Sequence, residues 1–140
     1  MIKLHQFPPV FGRNVSPFTR KLETWLRLAG LPHEVLPILN PRKGPRASCR
    51  PSSLRAQGPR RHSQAELYAM GRAELEAVAV ALHDRPLLFG GRPTTIDAIA
   101  YGCLDNLLKV RIETELKRSA QALPNLVAYC ARMTAHLGAI

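Results

Sequence analysis

The feature that most constrains this chain is a break in the middle of it. From Asn40 to His62 there are seven basic residues (Arg42, Lys43, Arg46, Arg50, Arg55, Arg60 and Arg61), no acid, and four prolines (Pro41, Pro45, Pro51 and Pro59). The segment has almost no large apolar residue, so it cannot bury enough surface to offset the entropy of ordering it, and it is expected to be a disordered linker. The chain is thereby divided into two short pieces. The break also locates the charge. The whole chain is +10, but 20 Lys/Arg less the seven in the break leaves 13 against 10 acids. Basicity is therefore a property of the linker. It carries no interleaved aromatics and no recognition helix, so its arginines read as solvated charge, and nucleic acid is not the expected partner.

Before the break, residues 2–7 alternate weakly (Ile2, Leu4, then Phe7), which predicts a short strand stopped by Pro8-Pro9. A loop around Gly12-Arg13-Asn14 follows. From Pro17 to Ala29 the apolar residues Phe18, Leu22, Trp25, Leu26 and Ala29 recur at helical spacing, with Arg20, Lys21 and Arg27 on the outside. Ser16 suits the N-cap and Pro17 the first helical position, which places the Ser16 hydroxyl at a positive helix end. Gly30 and Pro32 stop the helix. His33 to Leu39 reads as a second strand, demoted towards an edge by Pro37. Strand, helix and strand predict a βαβ unit with parallel strands.

After the break the pattern is helical throughout. Ser63-Gln64-Ala65-Glu66 is a capping box, and Leu67, Met70, Gly71, Leu75, Val78 and Leu82 mark the buried stripe of a helix ending near His83. Arg85 to Arg92 is a turn with an apolar anchor. Thr94 to Asp97 is a second capping box, opening a helix to about Lys109 with Ile96, Ile99, Ala100, Cys103, Leu104 and Leu107 inward. A short helix is expected from about Glu113 to Ser119. Pro124 opens the last one, with Leu126, Val127, Cys130, Met133 and Leu137 inward.

Three cysteines, Cys49, Cys103 and Cys130, have no metal-ligand spacing, and neither do the five histidines, so no metal is expected. An odd cysteine count without a secretory signal argues for a reducing, cytoplasmic compartment. No apolar run is long enough for a membrane span. Cys103 and Cys130 fall on apolar stripes and read as core thiols. Cys49 is expected to be the reactive thiol, in the linker.

The stretch Ser16 to Pro32, SPFTRKLETWLRLAGLP, resembles the N-terminal segment of the glutathione S-transferase superfamily. It looks most like the branch that includes metaxins and failed-axon-connections proteins, where the motif often reads Ser-Pro-Phe-Cys-x-Lys. Two further stretches agree. His62 to Leu104 is similar to the superfamily's C-terminal helical domain, with its Pro-h-h-h-Gly segment and Thr-x-x-Asp box. Leu123 to Met133 is similar to its final helix. The resemblance covers roughly residues 1–43 and 58–138. It implies an α/β plus all-α chain: a partial thioredoxin-like βαβ unit (1–43), a basic linker (44–61) and a truncated all-helical domain (62–140).

The resemblance also implies a function, glutathione binding or conjugation, with glutathione as co-substrate and Ser16 as the catalytic residue that stabilises the thiolate. Arg13, Asn14, Ser16 and Phe18 are the residues it assigns to glutathione. The alternative for Ser16 is an ordinary helix cap, and for Arg13 and Asn14 a polar surface loop. Thr19 stands where the branch often has Cys, which removes redox chemistry there. Lys21 and Glu23 follow the branch's Lys-x-Glu pattern and are expected on a solvated face, while Asp97 is expected to be structural.

One departure is large. The family continues past the second strand with a cis-proline loop, two antiparallel strands and a helix that make most of the glutathione contacts, and none of these can be found. After Asn40-Pro41-Arg42-Lys43 the family's Lys-Gly-Lys-Leu-Pro gives way to Arg46-Ala47-Ser48-Cys49-Arg50. That string results if codons for the family's sequence are read one base later, so residues from about 45 to 56 are expected to derive from a shifted reading frame. With those contacts missing, activity is expected to be impaired. The alternative is a non-enzymatic, glutathione-independent binding or adaptor module that uses the helical domain as its interaction surface; apart from glutathione or another small thiol, the partners considered are a protein and, as a homodimer, a second copy.

Overall fold

Alternation at the N-terminus yields a strand, β1 (Ile2–Gln6), which pairs in parallel with β2 (His33–Pro37) in the register Ile2↔His33 to Gln6↔Pro37. The computed structural model describes residues 1–9, 16–38 and 62–138. The expected linker, Cys49, the shifted-frame string, Arg13 and Asn14 lie outside the described residues, as does Leu39 at the end of the expected second strand. Pro37 closes β2, and the Ile38 amide continues the ladder to the Gln6 carbonyl at 2.8 Å.

Between the strands runs α1 (Pro17–Leu28), with Ser16 at the N-cap in extended backbone and Pro17 in the first turn. Its C-terminus is a Schellman motif. Gly30, at φ +63, donates to Arg27 O at 3.0 Å, and the Leu31 amide donates to Leu26 O at 2.9 Å. A left-handed residue at that place favours glycine, which is why the helix ends where the sequence says it should.

The helical half contains α2 (Gln64–Leu82), α3 (Thr95–Lys109), α4 (Glu115–Gln121) and α5 (Pro124–Leu137). Both capping boxes form. The Ser63 amide donates to Glu66 Oε2 at 2.7 Å and the Glu66 amide to Ser63 Oγ at 3.3 Å; at α3, the amide and hydroxyl of Thr94 both donate to Asp97 Oδ2 at 2.8 Å. The architecture is thus a βαβ unit, thioredoxin-like as far as it goes, followed by an all-helical region.

The main core lies entirely in the helical half. Leu75, Leu82, Leu88, Tyr101, Leu104, Leu126, Tyr129 and Met133 are its larger members. The N-terminal unit joins it by laying α1 on α3, where the helix backbones touch: a Cβ added at Gly102 would lie 3.0 Å from the Lys21 nitrogen. An ion pair flanks the contact, with the Arg20 guanidinium 3.1 Å from Asp105, which also pairs with Lys109. Arg20 also donates to the Tyr101 hydroxyl at 3.4 Å and lies over that ring at 5.7 Å.

This arrangement corrects the expected orientation of α1. Of the apolar stripe only Leu26 is buried; Phe18 is 76% exposed, and Leu22, Trp25 and Ala29 are exposed too. The polar side is turned in instead: Glu23 is 5% exposed and Thr24 1%, and Arg20 reaches the buried Asp105. Glu23, expected on a solvated face, instead accepts from Arg27 at 3.3 Å within the buried side. The reason is the partner. The facing side of α3 offers a carboxylate and a glycine, which select the polar side of α1.

Cys103 is a second correction, being exposed, whereas Cys130 is buried as expected. Leu67, Met70, Ile96 and Val127, also expected inward, are exposed. The buried tyrosines Tyr101 and Tyr129 were not among the expected core residues, since each carries a hydroxyl that needs a partner. Here the Tyr101 hydroxyl meets Thr134 Oγ1 at 3.1 Å, and that of Tyr129 donates to the Asp97 carbonyl at 3.1 Å.

Candidate functional site

The sequence points to the N-terminus of α1, and the structure describes two of the four residues assigned there. Ser16 is half-buried and in N-cap position, and its carbonyl accepts from the Arg20 amide at 3.0 Å and the Thr19 hydroxyl at 3.3 Å. Its side chain makes no capping hydrogen bond. Phe18 lies two residues on, with its ring exposed to solvent. Chemically this is a hydroxyl beside the positive end of a 12-residue helix, able to donate to an anion.

A groove in the helical half went unrecognised in the sequence, although residues that line it were singled out. The stripes read as inward on α2 (Gly71, Leu75, Val78) and α3 (Ile99, Ala100, Cys103, Leu104, Leu107) do face each other, but across an open groove of about 680 Å³. Leu75 and Leu104 are buried at its floor, Leu116 of α4 closes one wall, and Phe89 and Ile96 stand exposed at the rim. Periodicity reveals which side of a helix is apolar, not whether another element covers it. Glu74, Arg85 and Cys103 are its polar lining. The Arg85 guanidinium is tied to the Ala81 carbonyl at 2.5 Å.

The two thiols differ. Burial, with Asp105 adding to it, pushes Cys130 up to about 12, so it is a neutral core group. Cys103 is raised too, by partial burial, while the Lys21 charge opposes the shift. Neither is an activated nucleophile. Among the described residues no group of three or more His, Cys, Asp or Glu side chains could hold a metal ion, and no helix is long and apolar enough to cross a membrane.

Buried Asp97 serves structure. Besides capping α3, it accepts from the Leu88 amide at 3.0 Å and the Tyr129 hydroxyl at 3.2 Å, so one carboxylate fastens the 85–92 turn, α3 and α5 together.

Residues 71–133, from α2 to α5, match the family described as "Glutathione S-transferase, C-terminal domain". The chain is similar to "Failed axon connections" of Drosophila melanogaster, at 32% identity over 83 residues. That match takes in 57% of this chain and 20% of the relative's length, so the chain spans about one fifth of the relative. No solved structure matches.

Proposed function

We propose that this chain is a glutathione S-transferase-like binding module whose working surface is the helical domain, with glutathione chemistry at Ser16 reduced or lost. The observation that carries this reading is the pairing of an open apolar groove between α2 and α3 with a sheet that, among the described residues, has two strands. Pockets of a few hundred Å³ with apolar walls and a few polar groups are the usual form of a binding site. The proposed division is an N-terminal fragment (1–43), a linker (44–61) and the helical domain (62–140), working in the cytoplasm without metal or membrane insertion.

The second reading, glutathione binding or conjugation, is favoured by one observation, the Ser16 hydroxyl at the N-terminus of α1. In it Ser16 donates to the thiolate, and Arg13, Asn14 and Phe18 flank the tripeptide. A helical circular dichroism melt of the full chain with and without millimolar glutathione separates the two. A ligand that binds only the native state raises the transition by mass action. The binding-module reading expects no rise and no conjugating turnover; a rise that disappears in Ser16→Ala would replace it with the enzyme.

A further inference from the structure

Arg20 meets the helical half at an acid and an aromatic ring that share one face of α3. Tyr101 and Asp105 are adjacent there, one turn apart, and are 0% and 1% exposed. They do not line the groove, whose α3 wall is the neighbouring face with Ile99, Cys103 and Leu107. The position is held firmly. The Tyr101 hydroxyl meets Thr134 Oγ1 at 3.1 Å, and Thr134 donates in turn to the Cys130 carbonyl at 2.8 Å. Lys109 pairs with Asp105 Oδ1 and reaches Thr134 Oγ1 at 3.4 Å, while Asp105 Oδ2 is turned to Arg20. A buried carboxylate beside the face and hydroxyl of a tyrosine is a setting that suits a planar guanidinium.

Arg20 fills this setting poorly. A single nitrogen, Nη2, makes both polar contacts, 3.1 Å to Asp105 Oδ2 and 3.4 Å to the Tyr101 hydroxyl. The guanidinium carbon is 5.7 Å from the ring centroid, close to the limit of about 6 Å for a cation–π contact. Its Nε is buried without a hydrogen-bond partner among the described residues. A guanidinium has five N–H donors in a flat fork, and a better aligned one would engage more of them. The unit that carries Arg20 is also the less firmly held part, since the main buried cluster is built from the helical half. Parts with few buried apolar contacts open at a lower free energy than the whole fold.

We infer that Tyr101 and Asp105 form a guanidinium-recognition site on the helical half, held in cis by Arg20 and taken by an arginine-bearing segment of a partner protein when the N-terminal unit lifts away. The site goes beyond the binding-module reading and does not depend on the groove. α1 is then a competitor: the partner's apparent affinity is reduced in proportion to the fraction of chains in which α1 is docked.

The site can be emptied in the full chain. Arg20→Ala removes the guanidinium and leaves the buried cluster intact, so the variant should fold with a lower melting temperature by circular dichroism. Ethylguanidinium at about 50 mM and constant ionic strength should raise that temperature by about 3 °C. The wild-type chain, whose site is filled, should not respond, and neither should Arg20→Ala combined with Asp105→Asn. Ethylammonium carries the charge without the flat fork and should restore much less. Arg20→Lys, which keeps a cation at the contact, is a second host for the same titration if Arg20→Ala folds poorly. The partner step is read by hydrogen exchange on the wild-type chain. Excess acetyl-Ala-Arg-Ala-amide should speed exchange of the α1 amides about threefold and leave α2 to α5 unchanged, whereas the same peptide with a central lysine should not. Three results would each overturn the inference: no rescue by ethylguanidinium, equal rescue by both cations, or rescue that survives Asp105→Asn. So would rescue without any effect of the arginine peptide, because Arg20 would then be the site's sole occupant.

Discussion

Asp97 accepts four hydrogen bonds while fully buried, from Leu88 N, Thr94 N, Thr94 Oγ1 and the Tyr129 hydroxyl. Asp97→Ala would leave the Leu88 amide and both Thr94 donors without their acceptor, while the Tyr129 hydroxyl keeps the Asp97 carbonyl, and unsatisfied buried donors cost far more than a lost exposed bond. The expected loss is about 3 kcal/mol or more, read as a fall in the urea midpoint. Tyr129→Phe removes one donor and should cost about 1 kcal/mol. Two buried acids also set an alkaline limit. Burial raises Cys130 from 9.0 to about 12, and burial beside Asp97 raises Tyr129 well above the ordinary phenol range. The fold holds both neutral, so their stabilisation is complete below the unfolded-state values and is lost as pH rises past them towards the folded ones. Urea midpoints should therefore decline above about pH 9, and Cys130→Ala should flatten the first part of that decline. A midpoint unchanged up to pH 11 would refute the assignment.

At the scale of elements, what the sequence made legible was local. Ser63/Glu66, Thr94/Asp97, Pro17 and Gly30 each act within a turn of their own position, and all helix ends fall within about two residues of expectation. The facing of α1 was not legible, because it depends on Gly102 and Asp105, more than 80 positions away. The same holds for the candidate site: the groove's walls were read correctly as apolar stripes, but their being left uncovered is a property of the assembled helices. The α1/α3 contact gives a direct test. Gly102→Val would drive a side chain against Lys21 backbone atoms 3.0 and 3.1 Å from its Cβ, which cannot swing aside. It should lift α1 off α3, costing about 2 kcal/mol. Asp105→Ala should cost about 3 kcal/mol by leaving Arg20 and Lys109 without their shared carboxylate. Combined with Arg20→Met, it should cost less than the sum of the two. Strict additivity in that cycle would show that the ion pair does not hold α1 in place.

For the whole molecule, the distribution of the core decides which part can stand alone. Its buried cluster runs from Leu75 to Met133 and draws on α2, α3, α4, α5 and the 85–92 turn. The N-terminal unit contributes Leu28, half-buried against that cluster, Leu4 and Leu26 outside it, and the polar docking side of α1. A parallel two-stranded sheet with one helix buries too little to fold by itself, and its unpaired strand edges invite association. A fragment of residues 62–140 should therefore keep a cooperative, helical thermal transition, whereas residues 1–43 should show no cooperative transition. The longer fragment should melt below the full chain, because it loses the cover that α1 gives to Tyr101, Gly102 and Asp105. A helical fragment that melts without cooperativity would mean that α1 is part of the folding unit. The proposed boundary near residue 62 would then have to be abandoned.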